Sequence, residues 1–344
     1  MNHAISTVLL TVIKILYSIC IVCLSVYGFN SLILSLLYLF TSRRPGQPVR
    51  QLPAKGEYPL VTIQLPLYNE SSIVTRLLES VTSQDYPRDR YEIQVLDDST
   101  DETTELAQNL VDEYAEEGWN ISLLHRDDRS GYKAGALEYG LKYAKGDFLA
   151  IFDADFVPPR DWLGCMMAEF TSPEIGCVQS RWDHLNPRYN LITNAEMLGL
   201  DGHFMVEQNA RSRSGLFLGF NGSGGIWRRQ TILDAGGWSS DTLTEDLDLS
   251  YRAQMKGWKI HYQPQVIVPG ELPAQIDAFK NQQYRWAKGS AQTFRKLAPQ
   301  LLHSNIPWYK RVMGLIHLAM YMPFPFMIVV MLLTLPIALY DSHF

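Results

Sequence analysis

Carboxylates in this chain recur at spacings that let two of them share a ligand. Asp153 and Asp155 are separated by one residue and close the apolar run Phe148-Leu149-Ala150-Ile151-Phe152. A run of that kind reads as a strand buried on both faces of a mainly parallel sheet. Unpaired carboxylates at its end cost several kcal/mol to bury, so something must neutralise them. A divalent cation carrying a phosphorylated ligand would do so, although an Asp-x-Asp pair also arises in ordinary surface turns. Asp97 and Asp98 close a second predicted strand, Tyr91 to Leu96. An acid after that strand suits hydrogen bonding to a base or ribose; the competing reading of Asp97-Asp98-Ser99-Thr100 is a helix cap. Lys133, between Gly131 and Gly135, could meet a diphosphate as a point charge, or simply be solvated.

Further along, Asn221-Gly222-Ser223-Gly224-Gly225 is a loop whose glycines permit close backbone approach to a ligand, or an ordinary turn. Thr242 and Glu245 fit a capping box, which predicts a helix with Asp246 in its first turn. Acids there complement the helix dipole. Asp246 could equally be a general base, since one carboxylate in reach suffices to take a hydroxyl proton. Gln282, Arg285 and Trp286 fall at i, i+3 and i+4, hence on one helix face. Indole suits stacking on a sugar ring and guanidinium suits a diphosphate. An interfacial amphipathic helix is the alternative.

These groups need elements to hold them. Strands are predicted at Leu60–Leu67, Tyr91–Leu96, Ile121–His125, Phe148–Phe152 and Leu216–Phe220, with helices ending near Thr82, after Thr100 and from Lys133 to Tyr143. Such alternation predicts an α/β, Rossmann-like sheet. Tyr68 and Glu70, Asp97 and Asp98, and Asp153 and Asp155 would then sit at three strand ends facing one crevice. Neither G-x-G-x-x-G after the first strand nor G-x-x-x-x-G-K-[ST] occurs, so a nucleotide would not be held as in a dehydrogenase or a P-loop ATPase.

The chain has 344 residues, of which 47 % are hydrophobic and only 19 % charged, a deficit that points to membrane segments. Its net charge of −6 gives nucleic-acid binding no electrostatic support. Leu16 to Phe40 carries no charge and is long enough to span a bilayer. It is too long for a signal peptide. Arg43, Arg44, Arg50 and Lys55 follow it, against Lys14 before, which predicts an outside amino terminus and a cytosolic main domain. Val312 to Tyr340, interrupted by Pro323, Pro325 and Pro336, predicts a kinked span or a re-entrant hairpin. The four cysteines show no zinc or disulfide pattern.

In order along the chain, Leu65-Pro66-Leu67-Tyr68-Asn69-Glu70, Asp97-Asp98-Ser99, Asp153-Ala154-Asp155, Thr244-Glu245-Asp246 and Gln282-x-x-Arg285-Trp286 resemble the motifs of glycosyltransferase family 2, in particular its membrane-embedded β-glycan synthases. Gly131-Tyr132-Lys133-Ala134-Gly135 and Phe220-Asn221-Gly222-Ser223 are most similar to the cellulose-synthase-like mannan and glucan synthases. The resemblance implies a GT-A domain over 59–273, following an anchor and linker over 1–58. Amphipathic helices over 274–311 and a membrane segment over 312–344 would complete the chain. It further implies inverting, metal-dependent hexosyl transfer from UDP-glucose or GDP-mannose to a growing β-glycan. Tyr68, Glu70, Asp97, Asp98, Lys133, Asp153 and Arg285 would hold the nucleotide-sugar donor. Asp155 with Asp153 would hold Mg²⁺ or Mn²⁺, and Asp246 would be the base. Trp286, Gln282, Asn221, Gly222, Ser223 and Glu245 would meet the acceptor. Lipid glycosyltransferases share most of these motifs, so one hexose added to diacylglycerol, ceramide or polyprenyl phosphate is the alternative. All the charged candidates are present, which argues against a degenerate, non-catalytic scaffold.

Overall fold

The computed structural model describes residues 2–42, 49–50, 52 and 58–340. Arg43, Arg44 and Lys55, on which the expected membrane orientation rests, lie outside the described residues, as does most of the expected linker. In chain order the elements begin with α1 (Asn2–Ser42), β1 (Val61–Leu67), α2 (Val74–Thr82), β2 (Tyr91–Asp97), α3 (Thr103–Glu116) and β3 (Ile121–His125). Next come α4 (Tyr132–Tyr143), β4 (Phe148–Ile151), α5 (Trp162–Met167) and β5 (Ile175–His184). A continuous helical stretch follows: α6 (Leu191–Asp201), a π-helical segment (Gly202–Gln208) and α7 (Asn209–Arg213). The chain continues through β6 (Gly225–Arg228), α8 (Arg229–Asp234), α9 (Glu245–Met255) and β7 (Lys259–Gly270) to α10 (Ile276–His303), α11 (Trp308–Leu318) and α12 (Pro323–Tyr340).

Seven strands among the described residues form one sheet, in the order β3-β2-β1-β4-β6-β5-β7. β1 pairs in parallel with β2 and β4, and β2 with β3, whereas β6 runs antiparallel to both of its neighbours. The chain winds outward from β1 through β2 to β3, then returns to add β4 on β1's other side. That reversal opens a crevice at the carboxyl ends of β1 and β4, where open α/β sheets bind ligands. Phe148 and Ala150 pack into the core layer under α2, α3 and α5, and Leu149 and Ile151 into the layer under α4, α8 and α9. β4 is thus buried on both faces, as its unbroken apolar run predicts.

Leu216–Phe220 is not a strand. Side chains of α9 satisfy this extended backbone in place of a neighbouring strand. Gln254 accepts from Leu218 N at 3.0 Å and donates to Leu218 O at 2.7 Å, and Ser250 Oγ accepts from Phe220 N at 2.8 Å. The predicted capping box is also absent: α9 starts at Glu245 behind Thr244, whose side chain makes no cap bond, and Thr242 Oγ1 finds no partner. Asp246 nevertheless falls in the first turn, as expected.

The helix at Val8–Thr41 is long and apolar enough to cross a membrane; α11 and α12 pass the same test only as a pair, bent by 66°. The two regions meet where the Tyr27 hydroxyl donates to Ala319 O at 2.8 Å.

Candidate active site

At the carboxyl ends of β1, β2 and β4 the backbone is tied across strands before any ligand is considered. Asn69, at a positive φ of 56°, places its N–H on Ser99 Oγ at 2.9 Å and its side-chain oxygen on Thr100 N–H at 2.9 Å. These bonds hold the first loop against the second and aim Tyr68 and Glu70 into a cleft of about 760 Å³. Asp98, Lys133, Asp153, Asp155, Asn221, Gly222, Glu245, Asp246, Gln282, Arg285 and Trp286 line the same cleft. Residues from Tyr68 to Trp286, far apart in sequence, are therefore brought together.

Lys133 sits at the centre of the charge balance. Its ammonium pairs with Asp153, donates to Gly222 O at 3.0 Å and lies 3.9 Å from Glu245. Burial works to lower its pKa, but Asp153 and Glu245 outweigh that and hold it above the ordinary lysine value. The acids lining the cleft outnumber its cations, Lys133, Arg129 and Arg285, which leaves a surplus of negative charge. Burial, then the charge of Asp153, pushes Asp155 up to about 7. Burial, then Glu245, pushes Asp246 up to about 7, with Lys133 opposing. Glu70 is raised by burial and by Asp153.

Gly222 makes this crowding possible. Its φ is +84°, and a Cβ there would stand 3.1 Å from Asp246 Oδ2 and 3.3 Å from Lys133 Nζ. Glycine alone adopts that backbone without strain and leaves the space between the Asp246 carboxylate and the ammonium open.

Two residues expected to touch ligands are placed otherwise. Asp97 is fully buried and does not line the cleft; Ser99 N, Thr104 Oγ1 and His125 Nδ1 surround its carboxylate at 3.1, 2.7 and 2.7 Å. Burial would raise its pKa, but those hydrogen bonds outweigh it and keep the carboxyl below its usual value. Ser223 is likewise buried. Its hydroxyl accepts from Asp153 N at 3.0 Å, so it positions the Asp-x-Asp turn. Asp98 reaches the cleft, but its carboxylate is clamped by Arg126, whose Nε lies 2.7 Å away. Arg126 was not foreseen. Neither were Arg129, whose guanidinium lies over the Tyr68 ring at 3.1 Å, and Trp182, which donates to Ser223 O at 2.9 Å. A basic pair in the loop after β3, where acids face it from β2, was the available signal for both arginines.

Residues 59–289 match the family described as glycosyltransferase like family 2. The chain belongs to glycosyltransferase family 2. This family member is 40 % identical over 297 residues to glucomannan 4-beta-mannosyltransferase 9 of Arabidopsis thaliana, covering 83 % of this chain and 56 % of the relative. It is 39 % identical over 269 residues to glucomannan 4-beta-mannosyltransferase 1 of Cyamopsis tetragonoloba, covering 76 % of this chain and 51 % of the relative. The glycosyltransferase thus spans about half the length of the curated relatives it matches. Its fold is that of a mannosyltransferase from Pyrobaculum calidifontis solved with GDP-Man and Mn²⁺, at a TM-score of 0.74 and 23 % identity, covering 95 % of this chain and 88 % of that one. The GT-A architecture expected from the motifs is the one observed.

The residues of the glycosyltransferase fit a divalent cation. Asp155 keeps one face open to the cleft, and the compensating charge of Lys133 is itself engaged by Asp153. No group of three or more His, Cys, Asp or Glu that could hold a metal occurs among the described residues. Two carboxylates with the remaining positions left to phosphate and water is the usual arrangement for Mg²⁺ and its hard, oxygen-seeking relatives.

Proposed function

We propose that this family 2 enzyme transfers mannose from GDP-mannose to the growing end of a β-glycan, by single displacement with inversion. The observation that carries the reading is that Asp246, the Asp153/Asp155 pair and Trp286 share one cleft. The names of the plant relatives support mannose as the sugar and a β-linked polymer as the product.

In this reading an acceptor hydroxyl attacks the anomeric carbon from the side opposite the leaving group. Its proton passes to Asp246, the new C–O bond forms, and the bond to the diphosphate breaks with its electron pair going to the nucleotide. Asp153 and Asp155 would hold Mg²⁺ or Mn²⁺, which supplies charge stabilisation for the departing diphosphate. Arg285 adds a fixed cation beside it. Trp286 offers its ring to the acceptor's terminal sugar, and Glu70 and Tyr68 flank the nucleotide. The catalytic domain faces the cytosol, anchored by α1.

A second reading, one hexose added to a membrane lipid, draws on the apolar surface of α1 and α12 beside the transferase domain. Incubating membranes with labelled GDP-mannose or UDP-glucose and sizing the product separates the two. A polymer made from GDP-mannose is expected. A single-sugar lipid product, or use of UDP-glucose alone, overturns the proposal.

A further inference from the structure

A second chamber, of about 420 Å³, adjoins the catalytic cleft and shares Asn221, Asp246 and Trp286 with it as a common wall. Its other walls are mostly apolar or aromatic, among them Phe220, Phe279 and Tyr321, with Thr244, Gln283 and two histidines as polar members. Into it, from α6, comes Glu196. This side chain is only 6 % exposed, and neither carboxylate oxygen has a hydrogen-bond partner among the described residues. A buried carboxylate without a partner is costly, and native structures seldom leave one so unless a water, an ion or a ligand completes the bonding. Burial alone pushes Glu196 up to about 7, with no cation pulling it back.

The chemistry of the chamber narrows what could complete it. No lysine or arginine lines it. The buried Arg211 gives its Nε to Glu207 at 2.9 Å, leaves its two terminal nitrogens without a partner among the described residues, and is not part of the wall. His203 is engaged by Glu207 at 3.2 Å, and His317 shares a 2.8 Å hydrogen bond with Tyr251. A phosphate-bearing lipid entering here would therefore meet Glu196 with no cation in the wall to offset it, and at Asp246 only the Lys133 ammonium, already paired with Asp153. A single lipid hydroxyl would satisfy only one of the two orphaned oxygens. Adjacent hydroxyls of a sugar can satisfy both, while the ring's apolar faces lie against the aromatic walls.

We propose that Glu196 is an acceptor-recognition residue, its two oxygens accepting hydrogen bonds from neighbouring hydroxyls of a neutral oligosaccharide seated in this chamber with its end at Asp246. The inference rests on the transferase reading above and names its acceptor class. It assigns no chemical step to Glu196, which positions the acceptor.

The test uses the full-length enzyme in detergent or nanodiscs, with GDP-mannose as donor and β-1,4-mannohexaose as acceptor. Glu196→Gln keeps shape and removes charge, and Glu196→Ala removes the group. Both are expected to raise the acceptor KM roughly tenfold or more, the loss of one or two hydrogen bonds to a charged group. The donor KM and the acceptor-saturated kcat should stay within about twofold, a split that a merely structural role would not produce. An unchanged acceptor KM in Glu196→Gln overturns the proposal. So does a defect seen only with dioleoylglycerol or undecaprenyl phosphate as acceptor. If the wild-type enzyme transfers nothing from GDP-mannose, the transferase reading fails separately. Calorimetric titration with mannohexaose then decides: weaker binding by Glu196→Gln upholds the chamber's role, and equal binding overturns it.

Discussion

Asp246 retains its proton until near neutrality because it is buried beside Glu245 and has only a share of the Lys133 ammonium. A general base must be deprotonated to act, so activity should rise with pH through about 7 and level off above it, the acid limb of kcat/KM belonging to this carboxyl. Asp246→Asn should lose roughly 10²-fold or more in kcat and flatten that limb, with donor affinity by calorimetry little altered. Chelation of divalent cations should abolish transfer and weaken donor binding together, and added Mn²⁺ or Mg²⁺ should restore both. Retained turnover in chelator would remove the ion from the account. The acids at Asp153, Asp155 and Asp246 were legible because each ends a strand or opens a helix beside a recognisable pattern. Glu196 was not legible. A lone acid in an amphipathic helix has no spacing to mark it, and only its burial without a partner sets it apart.

The first four strands were read to within a residue of their ends, and for β4 the unbroken apolar run, buried on both faces, leaves no alternative to a central strand. The segment Leu216–Phe220 carried the same composition yet joined no ladder, since Gln254 and Ser250 take the hydrogen bonds a neighbour would have offered. Composition reports burial, and a polar side chain reaching from another element is invisible to it. The antiparallel insertion of β6 was unreadable because Gly225–Arg228 is too short to carry a strand pattern of its own. Ser223 shows how an element can serve the site from behind: its hydroxyl fixes the turn that carries Asp153. At Gly222, alanine would strain the positive φ by about 1 kcal/mol and press on Asp246 and Lys133. Gly222→Ala should therefore cut kcat at least about tenfold while moving the unfolding midpoint only slightly, since so local a loss of alignment acts on the transition state. By contrast Leu149→Ala, which empties a fully buried position of β4, should cost about 2–5 kcal/mol in denaturant unfolding.

Over the whole molecule, a folded transferase domain is joined to long apolar helices that pack on one another and on its π-helical segment. Alkaline carbonate washing should leave the protein in the membrane pellet, and release into the supernatant would mean that α1 and α12 do not enter the bilayer. The bend of 66° between α11 and α12 falls at residues 319–322, and two of them, Met320 and Tyr321, form part of the chamber wall. Mismatch with the hydrocarbon thickness is one of the forces that tilt a membrane helix, and a tilt of α12 in the bilayer would be felt at the proposed acceptor chamber. Turnover measured in vesicles of short-chain and long-chain phosphatidylcholine should differ through acceptor KM while donor KM holds steady, making bilayer thickness a regulator of this enzyme.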